Sequence, residues 1–147
     1  RAAVLLAAAA GRAAAAPLFT ASATVVELSP DAFNATVLPS GPAWLVNFYA
    51  DWCPHCIHFA PVWESVASTI RAEGGVRFGA VDCALYNDFC TEMGIGSFPT
   101  MRSFHLQGIN ASFTRQGADF HKGEYAAYEE GKLLALLRAQ LALPAPG

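Results

Sequence analysis

The segment that most restricts what this chain can fold into begins at Ala43. An apolar, β-branched and aromatic run, Ala43-Trp44-Leu45-Val46-Asn47-Phe48-Tyr49, leads directly into Trp52-Cys53-Pro54-His55-Cys56. Apolar residues then recur at helical spacing: Ile57, Phe59, Val62, Trp63, Val66, Ala67 and Ile70. This order predicts a strand covered on both faces, a short turn, and a helix from Pro54 to Glu73 whose first turn carries a Cys-x-x-Cys. Pro61 removes a hydrogen bond inside that helix and is expected to kink it, and Gly74-Gly75 stops it. At a helix N-terminus, unpaired backbone N–H groups and the positive end of the helix dipole favour an anion. A Cys53 thiolate is stabilised there, ready to attack a disulfide. Cys56, one turn inside the helix, is the less exposed thiol and suits the resolving role.

The competing readings of this pair are a structural disulfide and half of a zinc site. A zinc site wants a second close pair of Cys or His, and Cys83…Cys90 has the wrong spacing for a knuckle. His55, inside the Cys-x-x-Cys, would strain a tetrahedral site. The redox reading is therefore preferred.

The rest of the chain alternates strands and helices. Thr24–Leu28 reads as a short strand. Ser29-Pro30-Asp31 starts a helix that runs to Val37, with a capping Ser and Pro at the first position; Pro39-Ser40-Gly41-Pro42 ends it. Val76–Val81 is the next strand and delivers Asp82-Cys83 to its end. A shorter helix closes near Met93, with Gly94 as its left-handed cap. Thr100–His105 and about Ala111–Thr114 are expected to form a hairpin around Gln107-Gly108. The last helix, Glu130 to Leu141, is expected to bury Leu133, Leu134, Leu136, Leu137 and Leu141. Residues 117–129 carry no readable period. The sum is an α/β sandwich, a mixed sheet with helices on both faces.

The run Val46-Asn47-Phe48-Tyr49-Ala50-Asp51-Trp52-Cys53-Pro54-His55-Cys56, with Pro61 behind it, resembles the thioredoxin superfamily. Val81-Asp82-Cys83 and Gly94-Ile95-Gly96-Ser97-Phe98-Pro99-Thr100 resemble its secretory branch, the protein disulfide isomerases. Cys56-Ile57-His58-Phe59-Ala60-Pro61-Val62-Trp63 is closest to the thioredoxin domain of quiescin-sulfhydryl oxidases. The resemblance covers residues 24 to 142 and implies a thioredoxin fold with Cys53 and Cys56 as the redox pair. It also implies that Pro99 is a cis-proline facing that pair, with the backbone at Phe98 pairing with substrate peptide. Trp52 would shield the disulfide. His55 beside the Cys53 thiolate would favour the dithiol form and make the disulfide more oxidising; Pro54, where isomerases carry glycine, stiffens the turn in the same direction. Asn47 stands where relatives place a buried acid that accepts the proton of the second cysteine. Since Asn accepts no proton, Cys56 should deprotonate more slowly, through water. Tyr128-Glu129-Glu130-Gly131-Lys132 resembles the isomerase pattern that ends in a basic residue, with Lys132 in that place; Gln116-Gly117-Ala118 is an alternative alignment.

Cys83 and Cys90 are either two buried thiols or a second, structural disulfide. In one continuous helix, seven residues at about 1.5 Å each would separate them by roughly 10 Å, beyond the ~4.4–6.8 Å between Cα atoms that a disulfide tolerates. A bond requires the chain to turn at Asp82–Tyr86 and the helix to start late, near Asn87-Asp88. The recurrence of cysteines in this arrangement among disulfide isomerases implies the bond.

At 147 residues with net charge −3, one domain is expected, and no basic run exists to neutralise nucleic-acid phosphates. No apolar stretch reaches the length of a membrane span. Arg1 followed by Ala2-Ala3-Val4-Leu5-Leu6-Ala7 looks like the start of a signal peptide, with small-x-small cleavage positions at Ala14-Ala15-Ala16 and Ala21-Ser22-Ala23. Arg12 interrupts its apolar region, and the alternative to a signal peptide is an alanine-rich low-complexity tail. Four cysteines and glycosylation sequons at Asn34 and Asn110 agree with secretion. The expected layout is a signal-peptide-like segment at 1–23, a thioredoxin domain at 24–143 and a tail at 144–147, located in the endoplasmic reticulum lumen or secreted.

The function so implied is thiol–disulfide exchange on secretory-pathway proteins, with a recycling oxidase as partner. A second reading makes the chain part of a sulfhydryl oxidase, passing electrons to a fused FAD domain; the lack of an initiating Met fits a fragment. No dinucleotide fingerprint occurs, so no cofactor is expected in this chain. A third reading, from another class, is a redox-inactive module that holds unfolded clients.

Overall fold

The apolar run becomes the middle of a sheet because, Asn47 apart, its side chains are apolar or aromatic and are best placed out of water. The computed structural model describes residues 17–106, 115–119 and 129–141. In chain order the described elements are β1 (Val25–Glu27), α1 (Pro30–Thr36), β2 (Trp44–Tyr49), α2 (Pro54–Gly74) and β3 (Arg77–Asp82). They continue with α3 (Asn87–Glu92), β4 (Thr100–Phe104), β5 (Ala118–Asp119) and α4 (Glu130–Leu141). The strands form one sheet in the order β1-β3-β2-β4-β5, with β2 central and buried along its whole length. β3 runs parallel to both β1 and β2, whereas β4 is antiparallel to β2, and β5 to β4.

Alternation along the strands sorts two cores. On one face Leu45, Tyr49, Phe78, Ala80 and Met101 pack with Phe59, Trp63 and Ile70 of α2 and Leu133 and Leu137 of α4. On the other, Trp44, Val46, Phe48, Val81 and Phe104 pack with Phe33 of α1 and Phe89 of α3. Trp63 Nε1 donates to the Gly79 carbonyl at 3.2 Å, tying α2 to β3. The result is the mixed sheet covered by helices on both faces.

Local signals act where the residues place them. Ser29 Oγ accepts from the Ala32 N–H at 3.1 Å, and Pro30 opens α1. α2 continues through Pro61 and closes at Gly75, whose φ of +69° is left-handed. Gly94, at φ +75°, follows α3. In α4, Leu133 and Leu137 are buried, while Leu134, Leu136 and Leu141 lie at the border of the core and are only partly covered. The expected hairpin strand at 111–114 lies outside the described residues; the described antiparallel partner of β4 is Ala118–Asp119.

The packed unit also begins earlier than Thr24. Phe19 is buried, its ring edge-on to Tyr49 at 5.4 Å between centroids. Its N–H donates to the Glu27 carboxylate at 2.9 Å, and the Leu18 N–H donates to the Tyr49 hydroxyl at 3.1 Å. An apolar ring and two backbone donors therefore seat residues 17–23 against the sheet, and a boundary at Thr24 cuts through this packing. The signal-peptide-like stretch before Pro17 and the tail after Leu141 lie outside the described residues.

Candidate functional site: a Cys-x-x-Cys at the head of a helix

β2 ends at Tyr49 and the chain turns through Ala50–Trp52, with the Cys53 N–H donating to the Ala50 carbonyl at 3.1 Å. Cys53 then takes an extended conformation (φ −80°, ψ 122°) and occupies the N-cap of α2, with Pro54 at the first helical position. Proline fits there because its missing N–H is one that the helix leaves unpaired anyway. Cys53 thus sits at the positive end of the dipole of the long α2, although its side chain makes no cap hydrogen bond there.

The two thiols differ. Cys53 is 8% exposed, and its Sγ donates to the carbonyl of Phe98 at 3.8 Å. Cys56 is wholly buried, and the two sulfurs are not bonded. Burial pushes the Cys56 thiol up to about 12. A hydrogen bond involving the Ala50 backbone pulls the other way, while the nearby Cys53 sulfur and the charge of Asp82 add to the rise. The outer sulfur lies nearer the surface; the inner one keeps its proton at neutral pH.

Beyond Cys53 lies the peptide Phe98-Pro99, which is cis. The Phe98 carbonyl sits at the Cys53 sulfur, and Trp52 stands edge-on to the Phe98 ring at 6.2 Å. Trp52 is 65% exposed, so core packing does not account for it. It forms an apolar rim with Phe98, and Ile57 is exposed one residue beyond Cys56. His55 projects from the first turn of α2 and is exposed, as are Pro54 and His58.

Beneath the pair the sheet supplies Asn47 and a set of acids. Asn47 is 0% exposed, and neither Oδ1 nor Nδ2 finds a hydrogen-bond partner among the described residues. Asp82 ends β3 beside Tyr49, its register partner. Burial raises the affinity of its carboxyl for a proton, and the charge of Asp51 adds to this; bonds from the Ala84 and Leu85 N–H groups act against it. Glu27, on β1, accepts from the Tyr49 hydroxyl at 2.5 Å, and burial raises its carboxyl too. Tyr49 is held protonated first by burial and then by Glu27. The motif reading missed this group. A period-two count places Asp82 and Tyr49 on the α2 face, but only strand register sets them side by side.

The remaining expected residues are scattered. Cys83 and Cys90 are joined by a disulfide, with Cα atoms 5.7 Å apart, in the core on the face away from α2. Tyr86 and Leu85 fold back on the Asp82 carbonyl, so α3 starts only at Asn87. Lys132 is exposed on α4 and pairs with Glu129 at 3.4 Å, with no contact to the Cys-x-x-Cys given by the described structure. Asn34 is exposed on α1; Asn110 and Tyr128 lie outside the described residues. Arg102, which no motif marked, is buried on β4 and reaches Asp119 and the carbonyls of Met93 and Gln116. It ties the end of α3 to β5. Among the described residues no group of three or more His, Cys, Asp or Glu is arranged to hold a metal ion. No helix among them is long and apolar enough to cross a membrane.

Comparison with known proteins adds the family. The family model described as Thioredoxin matches residues 24–121. Protein disulfide isomerase-like 2-2 from Oryza sativa subsp. japonica is 38% identical over 87 residues, 59% of this chain and 24% of that protein. Sulfhydryl oxidase 1 from Cavia porcellus is 37% identical over 107 residues, covering 71% of this chain and 18% of the relative. The chain thus spans a minor part of these relatives' length. The crystal structure of the Trx4 domain of ERdj5 superposes with a TM-score of 0.65 at 31% identity, over 82% of this chain and 96% of that one. Sheet order, a Cys-x-x-Cys capping the long helix and a family match across the central fold agree, and the chain belongs to the thioredoxin family.

Proposed function

We propose that this domain exchanges thiols and disulfides on protein substrates through Cys53 and Cys56. One observation carries the reading: an outer sulfur at the N-cap of α2 faces the Phe98 carbonyl, with a buried second sulfur one turn behind it. Cys53 attacks a substrate disulfide, forming a mixed disulfide and releasing one substrate thiolate. Cys56 then displaces the second substrate sulfur, and the Cys53–Cys56 disulfide remains. Run backwards, the same steps oxidise a substrate dithiol. Trp52, Phe98 and Ile57 offer an apolar surface for the substrate chain around the cysteine, and His55 and Pro54 tune the pair.

The secretory pathway is the proposed setting, supported by the N-terminal segment, the exposed sequon at Asn34 and the buried Cys83–Cys90 disulfide. Similarity to sulfhydryl oxidase 1 supports a second reading, in which the domain relays electrons to an FAD domain elsewhere in a longer protein. Insulin reduction by dithiothreitol and refolding of a reduced substrate test the chemistry. Wild type is expected to accelerate both, and Cys53→Ser to do neither. Equal rates for the two proteins would refute the reading, and client binding that survives loss of both cysteines would favour a holding module. Transfer of electrons from the reduced domain to an added FAD-dependent oxidase module tests the relay.

A further inference from the structure

The proposed exchange has an unassigned step. Cys56 is wholly buried and holds its proton at neutral pH, yet it must attack as a thiolate to release the substrate. A base must stand close by. Asn47, beneath the pair, cannot serve, because an amide accepts no proton.

Strand alternation limits the choice. On the α2 face β2 presents Asn47 and Tyr49, β3 presents Ala80 and Asp82, and β1 presents Glu27. β4 and α4 bring Met101, Leu133 and Leu137 to the same core, none of them titratable. Register sets two rows across the sheet: Glu27–Ala80–Asn47, and nearer the C-terminal edge Asp82–Tyr49. α2 begins directly after β2, so its first turn, with Cys56, lies over the C-terminal edge and over the second row. Glu27 is on the edge strand β1, with β3 between it and β2, and already holds the Tyr49 hydroxyl and the Phe19 N–H. Asp51 lies in the turn and is partly exposed. Asp82 is 3% exposed, and its charge reaches Cys56. The Ala84 and Leu85 N–H groups both bond to Oδ1, which pins the carboxyl and leaves Oδ2 clear of backbone donors.

We propose that the Asp82 carboxylate is the proton acceptor that converts the buried Cys56 thiol into the resolving thiolate. This rests on the exchange reading above. The proton passes from Cys56 Sγ to Asp82, and the Cys56 thiolate attacks Cys53 Sγ. The Cys53–Cys56 bond forms as the bond from Cys53 to the substrate sulfur breaks, and the electron pair leaves with that sulfur. The substrate thiolate then takes up the proton. Two electrons have moved from the dithiol to the substrate disulfide. Charge explains why an acid helps here: ionising Cys56 into water would put a second negative charge beside Asp82, whereas transfer between them leaves the pair at one negative charge throughout. Forming the mixed disulfide also removes any negative charge from Cys53. Burial and the neighbouring Asp51 make Asp82 a stronger base than an ordinary carboxylate.

Rapid alkylation quenching separates the two steps. Attack by Cys53 is followed in a Cys56→Ser background, where the mixed disulfide accumulates, and resolution is followed in the parent. Asp82→Asn is expected to change attack by less than about 3-fold and to slow resolution at pH 7 by at least about 10-fold, toward the ~10²-fold of a positioned base. The deficit should shrink as pH rises, when hydroxide takes over as base, and should vanish in an Asn47→Asp background. If Asp82→Asn does not fold, Asp82→Ser, whose hydroxyl still accepts from the Ala84 N–H, gives the same comparison. Resolution within about 3-fold of the parent from pH 6 to 9, or equal slowing of both steps, would overturn the proposal. A wild type that forms no mixed disulfide at all would overturn the exchange reading, and this proposal with it.

Discussion

Two neighbouring side chains, Asn47 and Cys56, decide how the site behaves as pH and sequence change. Both polar atoms of Asn47 are buried without partners among the described residues, and such a group costs more than an apolar one of the same outline. Asn47→Leu is therefore expected to be neutral or to stabilise the reduced domain by about 1 kcal/mol in urea unfolding. A loss of more than about 1 kcal/mol would show that the amide has a structural partner. For Cys56 the sign follows from its raised folded value, about 12 against an ordinary 9.0. The folded state holds this proton more tightly, so the contribution is fully present below pH 9 and is lost as pH climbs toward 12. The reduced wild type should lose stability across that window more steeply than Cys56→Ala, as read by denaturant midpoints at successive pH values.

At the level of elements, β5 depends on a glycine. Gly117 has φ +75°, and a Cβ there would lie 2.6 Å from the Phe104 ring and 2.9 Å from the Ser103 carbonyl. Neither a fully buried aromatic nor a strand carbonyl moves cheaply. Gly117→Ala is expected to cost about 2–4 kcal/mol, combining a left-handed backbone with overpacking. Urea unfolding checks this, and a cost under about 1 kcal/mol would mean that β5 detaches without consequence. The same strand carries Asp119, which meets Arg102 at 2.5 Å. Arg102→Met should loosen the end of α3 as well as β5, because its guanidinium also holds the Met93 and Gln116 carbonyls. Faster hydrogen exchange at Gly94 and Ile95 is the expected readout.

For the molecule as a whole, residues 17–23 are part of the fold. Phe19 packs on Tyr49, and the same segment covers the Glu27 carboxyl. A chain beginning at Thr24 loses this ring and should be less stable than one beginning at Pro17 by about 3 kcal/mol, the usual cost of emptying a buried Phe site. Comparing the two by urea unfolding tests it, and equal stability would refute it. Of the two small-x-small positions, processing near Ala14-Ala15-Ala16 keeps the ring and processing after Ala23 discards it. Mass spectrometry of the protein expressed in a secretory host would distinguish them.

Local residue patterns were enough to place the strand–turn–helix with Cys53 at its cap, the helices around it and the left-handed glycine at Gly94. Those features depend on periodicity and capping within a few turns of chain, and local rules act at that range. The sequence also brought Asn47 into view as the one polar residue of β2. Pro61 was legible as a proline inside a continuing helix, and α2 does run on through it, since packing on the sheet outweighs one lost hydrogen bond. Tertiary structure alone decided that Asp82 and Tyr49 share a row, that Glu27 reaches Tyr49 from β1, and that Phe19 fills the core rather than preceding it. These neighbours come from strands far apart in the chain, and their register is set by which faces must be buried together, which no local pattern encodes.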